Sequence, residues 1–158
     1  MSVLVQGDQV RAITLGILVN KATGVVANGT TSLFTIAGGR VLITSLVGRV
    51  TTAIGSTTSN AKLVYNPTAA GTSFDMCTAV DIASDAVEQT YYITGSVASG
   101  GALLVGGAVG QANPIFEDGY LVQAGAIEQN LSADPVGGAI TWSVTYVPYD
   151  AGASLAAA

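Results

Sequence analysis

Within the stretch Ala139-Ile-Thr-Trp-Ser-Val-Thr-Tyr-Val-Pro148 near the C-terminus, residues 140–146 alternate strictly between large apolar and small polar side chains. Ile140, Trp142, Val144 and Tyr146 fall on one face of an extended strand, and Thr141, Ser143 and Thr145 on the other. Such a strand buries one face and leaves the other to water or a polar neighbour. Pro148 lacks a ladder donor and ends it. The only Trp of the chain sits here, so the stretch predicts the strand with the heaviest core side chains.

The same reading runs along the rest of the chain. Residues 1–12 alternate at first (Val3 and Val5 against Leu4 and Gln6), then break at Gly7-Asp8. They read as an extended N-terminal arm, either docked on a neighbour or frayed. Residues 13–19 are a short apolar run, a buried strand or an arm clamped against a partner. Asn28-Gly29 is a turn signal, because both residues tolerate positive φ. A strand over 31–36 follows, closed by Gly38-Gly39. Residues 40–54 form the longest β-rich stretch. Leu42, Leu46, Val50 and Ile54 share one parity, and Val41, Ile43 and Val47 the other. Apolar residues on both parities predict cover on both faces, by a second sheet and by another subunit. Gly48 reads as a bulge or bend.

Further strands are predicted over 61–65, 76–82, 89–94, 103–105, 115–117, 120–122 and 126–131, with one helical turn at 83–89. Gly, Asn, Pro and Asp clusters separate them, and Asp118-Gly119 is a hairpin turn signal. Helical periodicity is almost absent. Eight to ten short strands at this spacing predict an all-β chain: an antiparallel β-sandwich, jelly-roll-like, with an extended N-terminal arm. The organisation is an arm over 1–12, a single sandwich domain over 13–150 and a small-residue tail over 151–158.

Composition changes the picture at the surface. Of 158 residues only 9% are charged, against about 25% in an ordinary soluble domain. The outside must therefore be hydroxyls, amides, glycine and small apolar groups, which suits a protein covered by other subunits. The net charge is −5, and the five bases are scattered, so nucleic-acid binding is not expected. The uncharged stretch 89–116 is long enough to span a bilayer. Its many glycines favour loops and packed strands instead, and no membrane association is expected.

Candidate chemistry is sparse. The chain has no histidine, which removes the commonest general base and metal ligand and rules out a Ser-His-Asp or Cys-His site. One cysteine, Cys77, allows no intrachain disulfide and reads as a buried, inert thiol. Asp75, Asp81 and Asp85 are the closest acidic group. They are calcium ligands on one reading and turn aspartates on the other, and no calcium-loop pattern is present. Glu117 and Asp118 point to opposite faces of a strand, which is wrong for a paired-carboxylate site. The glycines of 95–110 lack the lysine and spacing of a phosphate loop. The triplets at Asn28 and Asn130 match the glycosylation pattern by chance. No catalytic residue, cofactor or metal is expected.

Ser32 to Gly39 running into Arg40-Val-Leu-Ile-Thr-Ser-Leu-Val-Gly-Arg49, then Asn66-Pro-Thr-Ala-Ala-Gly71, Asp75-Met-Cys77 and the 140–148 strand, resembles small virion structural proteins of tailed bacteriophages. The resemblance spans residues 30–150. It implies a non-enzymatic head decoration (cement) protein, a β-sandwich that forms trimers on the outer surface of the capsid after synthesis in the host cytoplasm. Its partners would be the major capsid protein and itself. An N-terminal arm would contact the shell through Val3, Leu4, Val5, Gln6, Asp8, Val10 and Arg11. Arg40, Val41, Ile43, Val47 and Arg49 are the candidate contacts between copies, with each arginine either paired to an acid across the joint or guarding a strand edge. The alternative is a carbohydrate- or receptor-binding module of a tail or fibre, with Tyr65, Tyr120, Tyr149 and the loop acids as ligand groups.

Overall fold

A computed structural model describes residues 6–69, 71–93, 103–105 and 119–158. The 139–148 strand is an inner strand of one of two antiparallel sheets. We call it β11 (Ala139–Pro148). Its neighbours are β1 (Ile17–Val25) on one side and β3 (Val41–Thr52) on the other. Beyond β3 lie β7 (Thr90–Ile93) and β8 (Leu103–Val105), and β9 (Tyr120–Val122) pairs with the start of β3. This is sheet A. Sheet B runs β12 (Ser154–Ala157), β2 (Gly29–Ala37), β10 (Gly125–Leu131), β4 (Asn60–Pro67) and β5 (Phe74–Asp75), with β6 (Val80–Asp81) also on β4.

The first four strands alternate between the sheets, and the second half of the chain folds back along the first. Thus β1 pairs with β11, β2 with β10, β3 with β7, and β4 with β5 and β6. This doubled-back path is a jelly roll, two sheets packed face to face. The all-β sandwich predicted from period-two alternation is the observed fold.

The core lies between the sheets. Trp142, Tyr91, Phe34, Leu33, Ile43, Leu46, Leu63 and Ile127 are among its fully buried side chains. β11 supplies Ile140, Trp142, Val144 and Tyr146 to this face, as its alternation requires. β10 alternates just as strictly, but one of its inward positions is polar. Gln129 is buried because its Oε1 accepts a 2.7 Å hydrogen bond from the Trp142 indole N–H.

The mixed parity of β3 has a local cause. Thr145 pairs with Ser45 and Tyr146 with Ile43, so Thr44 is an extra residue. This bulge flips the inward set from Val41 and Ile43 to Leu46, Gly48 and Val50. Gly48 is therefore not the bulge. It lies opposite Trp142, and a Cβ there would meet the indole Cζ3 at 2.9 Å.

Four predicted segments fold differently. Residues Gly7–Leu15 form an α-helix, α1, rather than an extended arm. The Gln9 side chain accepts the Gln6 N–H at its start, and Gly16 ends it at φ +95° with its N–H bonded to the Ala12 carbonyl. Val10 and Ile13 have helical, not alternating, spacing. The small-residue tail is also ordered: Ser154–Ala157 forms β12 on the edge of sheet B, and Leu155 enters the core. Residues 76–82 do not form one strand. Met76 and Cys77 sit in a bend between β5 and β6. Residues 83–89 are turns rather than a helical turn.

Candidate interaction surface

Exposed large apolar side chains gather at one place, α1 and the edge strand β1. Val10, Ile13 and Leu15 on α1 and Ile17, Leu18 and Val25 on β1 are all exposed, Ile13 to 78%. Every residue of α1 with a described side chain is exposed. The helix is held by its C-terminal turn, where Gly16 passes so close to β11 that a Cβ would lie 2.7 Å from the Tyr146 carbonyl oxygen. A groove of about 370 Å³ runs beside it, lined by Thr14, Leu15, Thr44, Ser45, Thr145 and Val147.

That groove opens onto the outer face of sheet A. There Val147, Leu42 and Leu121 are consecutive cross-strand neighbours, as are Ser143, Val47 and Tyr92. Ser143 donates to the Asn20 side chain of β1 at 2.7 Å. Arg49 lies at one end of this face, with its guanidinium 2.8 Å from the Glu88 carboxylate. The outer face of sheet B differs. It carries Glu128 and the Lys62–Asp75 pair, at 2.8 Å.

The residues expected to touch other chains divide accordingly. Val3, Leu4 and Val5 lie outside the described residues. Gln6 caps α1, Asp8 lies in its first turn, and Val10 and Arg11 are exposed along it. Val41 and Ile43 are wholly buried in the chain's own core and cannot meet another subunit. Val47 is half-buried on the outer face. Each arginine has an acid within its own chain. Arg49 pairs with Glu88, and Arg40 grips Asp150 with Nε and a terminal nitrogen at 2.9 and 2.8 Å. The Asp150 carboxylate also accepts the Arg40 backbone N–H, and these contacts hold it down at about 2. The Arg40 guanidinium stacks over the Tyr149 ring at 4.7 Å.

The candidate ligand groups do not converge. Tyr65 and Tyr120 are core residues, and the Tyr65 hydroxyl donates to the Gln123 carbonyl at 3.0 Å. Of the three tyrosines only Tyr149 is open to solvent. Asp81 accepts the backbone N–H groups of Ser59 and Ala83, the turn role. Asp85 accepts the Tyr91 hydroxyl at 2.7 Å. Burial raises the Asp85 carboxyl above its ordinary value, and burial together with Asp85 raises the Tyr91 phenol. Asp75 is taken by Lys62. Among the described residues no group of three or more acidic or cysteine side chains is placed to hold a metal ion. Burial pushes the Cys77 thiol up to about 11. Glu117, Asp118 and the glycines of 95–110 lie outside the described residues. A second cavity of about 370 Å³, at the end of β4, is bordered by Tyr65, Pro67, Phe74 and Leu121 and has no charged lining. Among the described residues no helix is long and apolar enough to cross a membrane.

Comparison with protein-family models, with curated proteins and with solved structures gave no match.

The exposed helix α1 is what sequence reasoning missed. The signal was there in Val10, Ile13 and the stop at Gly16, but nine residues hold too few turns to outweigh the alternation just before them.

Proposed function

We propose that this chain is a non-enzymatic structural protein of a tailed-phage virion, a decoration protein that binds the outer head shell and ties capsid subunits together. The observation that carries this reading is α1. A nine-residue helix is marginal in water, and most helical stability in proteins comes from packing an apolar face. Here Val10 and Ile13 face solvent. A helix of this kind is made to be covered, and the major capsid protein is the partner we assign to it. The low charge and the stiff jelly roll support a protein whose work is contact. The phage resemblance of residues 30–150 supplies the particle. Absence of histidine and the engagement of Asp75, Asp81 and Asp85 within the chain support a non-enzymatic role.

The test is binding to undecorated heads by co-sedimentation. The full chain should bind, whereas a variant lacking residues 1–11, or carrying Ile13→Asp, should stay in the supernatant while keeping the folded sandwich. Equal binding by the variants would reject α1 as the shell contact, and no binding by the full chain would reject the reading itself.

A further inference from the structure

We infer that β1 is an open sheet edge that takes an extended segment of the shell protein as an added strand, a main-chain contact that rests on the shell reading and goes beyond α1. The ladder fixes which groups are open. On β11 the Ile140 N–H turns toward β1, where it donates to the Thr23 hydroxyl at 3.1 Å. The Ala139 and Thr145 carbonyls turn the other way, toward β3, and accept the Thr51 and Thr44 hydroxyls at 3.2 Å. Backbone groups alternate sides along a strand. Trp142, Val144 and Tyr146 therefore bond to β1, and their partners Lys21, Val19 and Ile17 bond back. Leu18, Asn20 and Ala22 point away from β11. Each offers one N–H and one carbonyl, and each is exposed. Among the described residues β11 is the only strand paired with β1.

The other strands at the margins of the two sheets are short. β5 and β6 have two residues each and end in Asp75 and Asp81, β8 and β9 have three and β12 has four, whereas β1 has nine. Short or charged edges are how a sheet avoids adding a stray strand. The one charge on β1 is Lys21. Its partner is the inward-facing Trp142, so it lies on the inner side of the sheet, where its ammonium meets the Ala158 carbonyl. It does not stand across the open row. A register shift between Ala22 and Val25 ends the row at Ala22.

Position and chemistry select the occupant. Only Gly16 and Ile17 separate the last residue of α1 from Leu18, so a partner that covers α1 reaches the open row directly. Leu18 is exposed to 60%, and Asn20 and Ala22 are neutral. The nearest charges on the N-terminal side, Asp8 and Arg11, lie back along α1. The segment that fits is extended, uncharged, free of proline and apolar where it passes Leu18. Strand addition of this kind takes its affinity from main-chain hydrogen bonds and its specificity from alternate side chains.

The experiment is hydrogen–deuterium exchange of the full chain, free and bound to undecorated heads, with co-sedimentation of wild type, Ala22→Pro and Ala22→Thr. Proline removes one open N–H and leaves the β11 ladder intact, and an edge strand tolerates it. Threonine changes the side chain and keeps the N–H. On binding, residues 17–25 should lose their fast exchange, about half of the strand's amides. Ala22→Pro should bind about tenfold more weakly, through one lost hydrogen bond and a blocked approach, and Ala22→Thr should bind like wild type. If Ala22→Pro fails to fold, the exchange of wild type decides. Bound protein with unchanged exchange over 17–25, equal binding by a folded Ala22→Pro, or an equal loss in Ala22→Thr would overturn the inference and leave the shell reading standing. Protection of 17–25 in the free chain that fades on dilution would overturn it in favour of a second copy at this edge. No binding by the full chain would overturn both.

Discussion

Gly48 faces Trp142 across the β3–β11 ladder, and a Cβ at Gly48 would stand 2.9–3.0 Å from three atoms of the indole six-membered ring. The indole cannot easily give way. Its N–H is tied to Gln129 at 2.7 Å, and Tyr91 stacks beside it with ring centroids 6.3 Å apart. We therefore expect Gly48→Ala to destabilise the fold by about 1–3 kcal/mol, the usual range for overpacking. Urea unfolding followed by Trp142 fluorescence measures this. A gain in stability, as a glycine-to-alanine change in an open strand would give, would contradict the packing described here.

Gln129 is the polar half of the same arrangement. Gln129→Leu removes the acceptor and leaves a buried indole N–H without a partner, a loss of about 1–3 kcal/mol. Trp142→Phe in the Gln129→Leu background removes that stranded donor. The double variant should then lose less than the sum of the two single changes. Strict additivity in urea unfolding would show that the bond contributes nothing.

Cys77 is buried in the bend between β5 and β6, and its Sγ accepts the Leu63 N–H at 3.2 Å. With the thiol pushed up to about 11, little thiolate exists at pH 8. A disulfide reagent should leave the native protein unlabelled and react at once in denaturant. Rapid labelling of the native protein would place Cys77 at the surface.

Asp150 contributes to stability on the acid side. Its folded value, about 2, lies below the ordinary carboxylate value of about 3.9, so its contribution is full above pH ~4 and is lost as pH falls toward 2. Asp150→Asn should lower Tm at pH 6 and flatten the fall in Tm between pH 4 and pH 2. An unchanged acid slope would mean that the Arg40 grip adds no stability.

Much of this architecture is written in the chain. Strands with a strict two-residue period fold where the pattern puts them. β11 spans 139–148 as predicted, and β8 and β9 match the expected 103–105 and 120–122. The reason is local: alternation sorts side chains to opposite faces, and one buried face fixes the register. The buried Cys77 and the scarcity of charge were equally legible, although neither says which surface meets which partner.

What tertiary structure decided are the places where local pattern is weak or reversed. The extra Thr44 flips the inward set of β3, so Val41 and Ile43 went into the core instead of the surface. Ser154–Ala157 is made of poor strand formers, and β2 makes it a strand by offering its edge. Arg40 and Asp150 are 110 positions apart, and only the approach of the turns after β2 and β11 joins them. The sequence by itself determined a two-sheet sandwich and a charge-poor exterior, because both follow from residue type and period. Which face stays open was decided by packing, because burial is a property of neighbours that meet only when the chain doubles back.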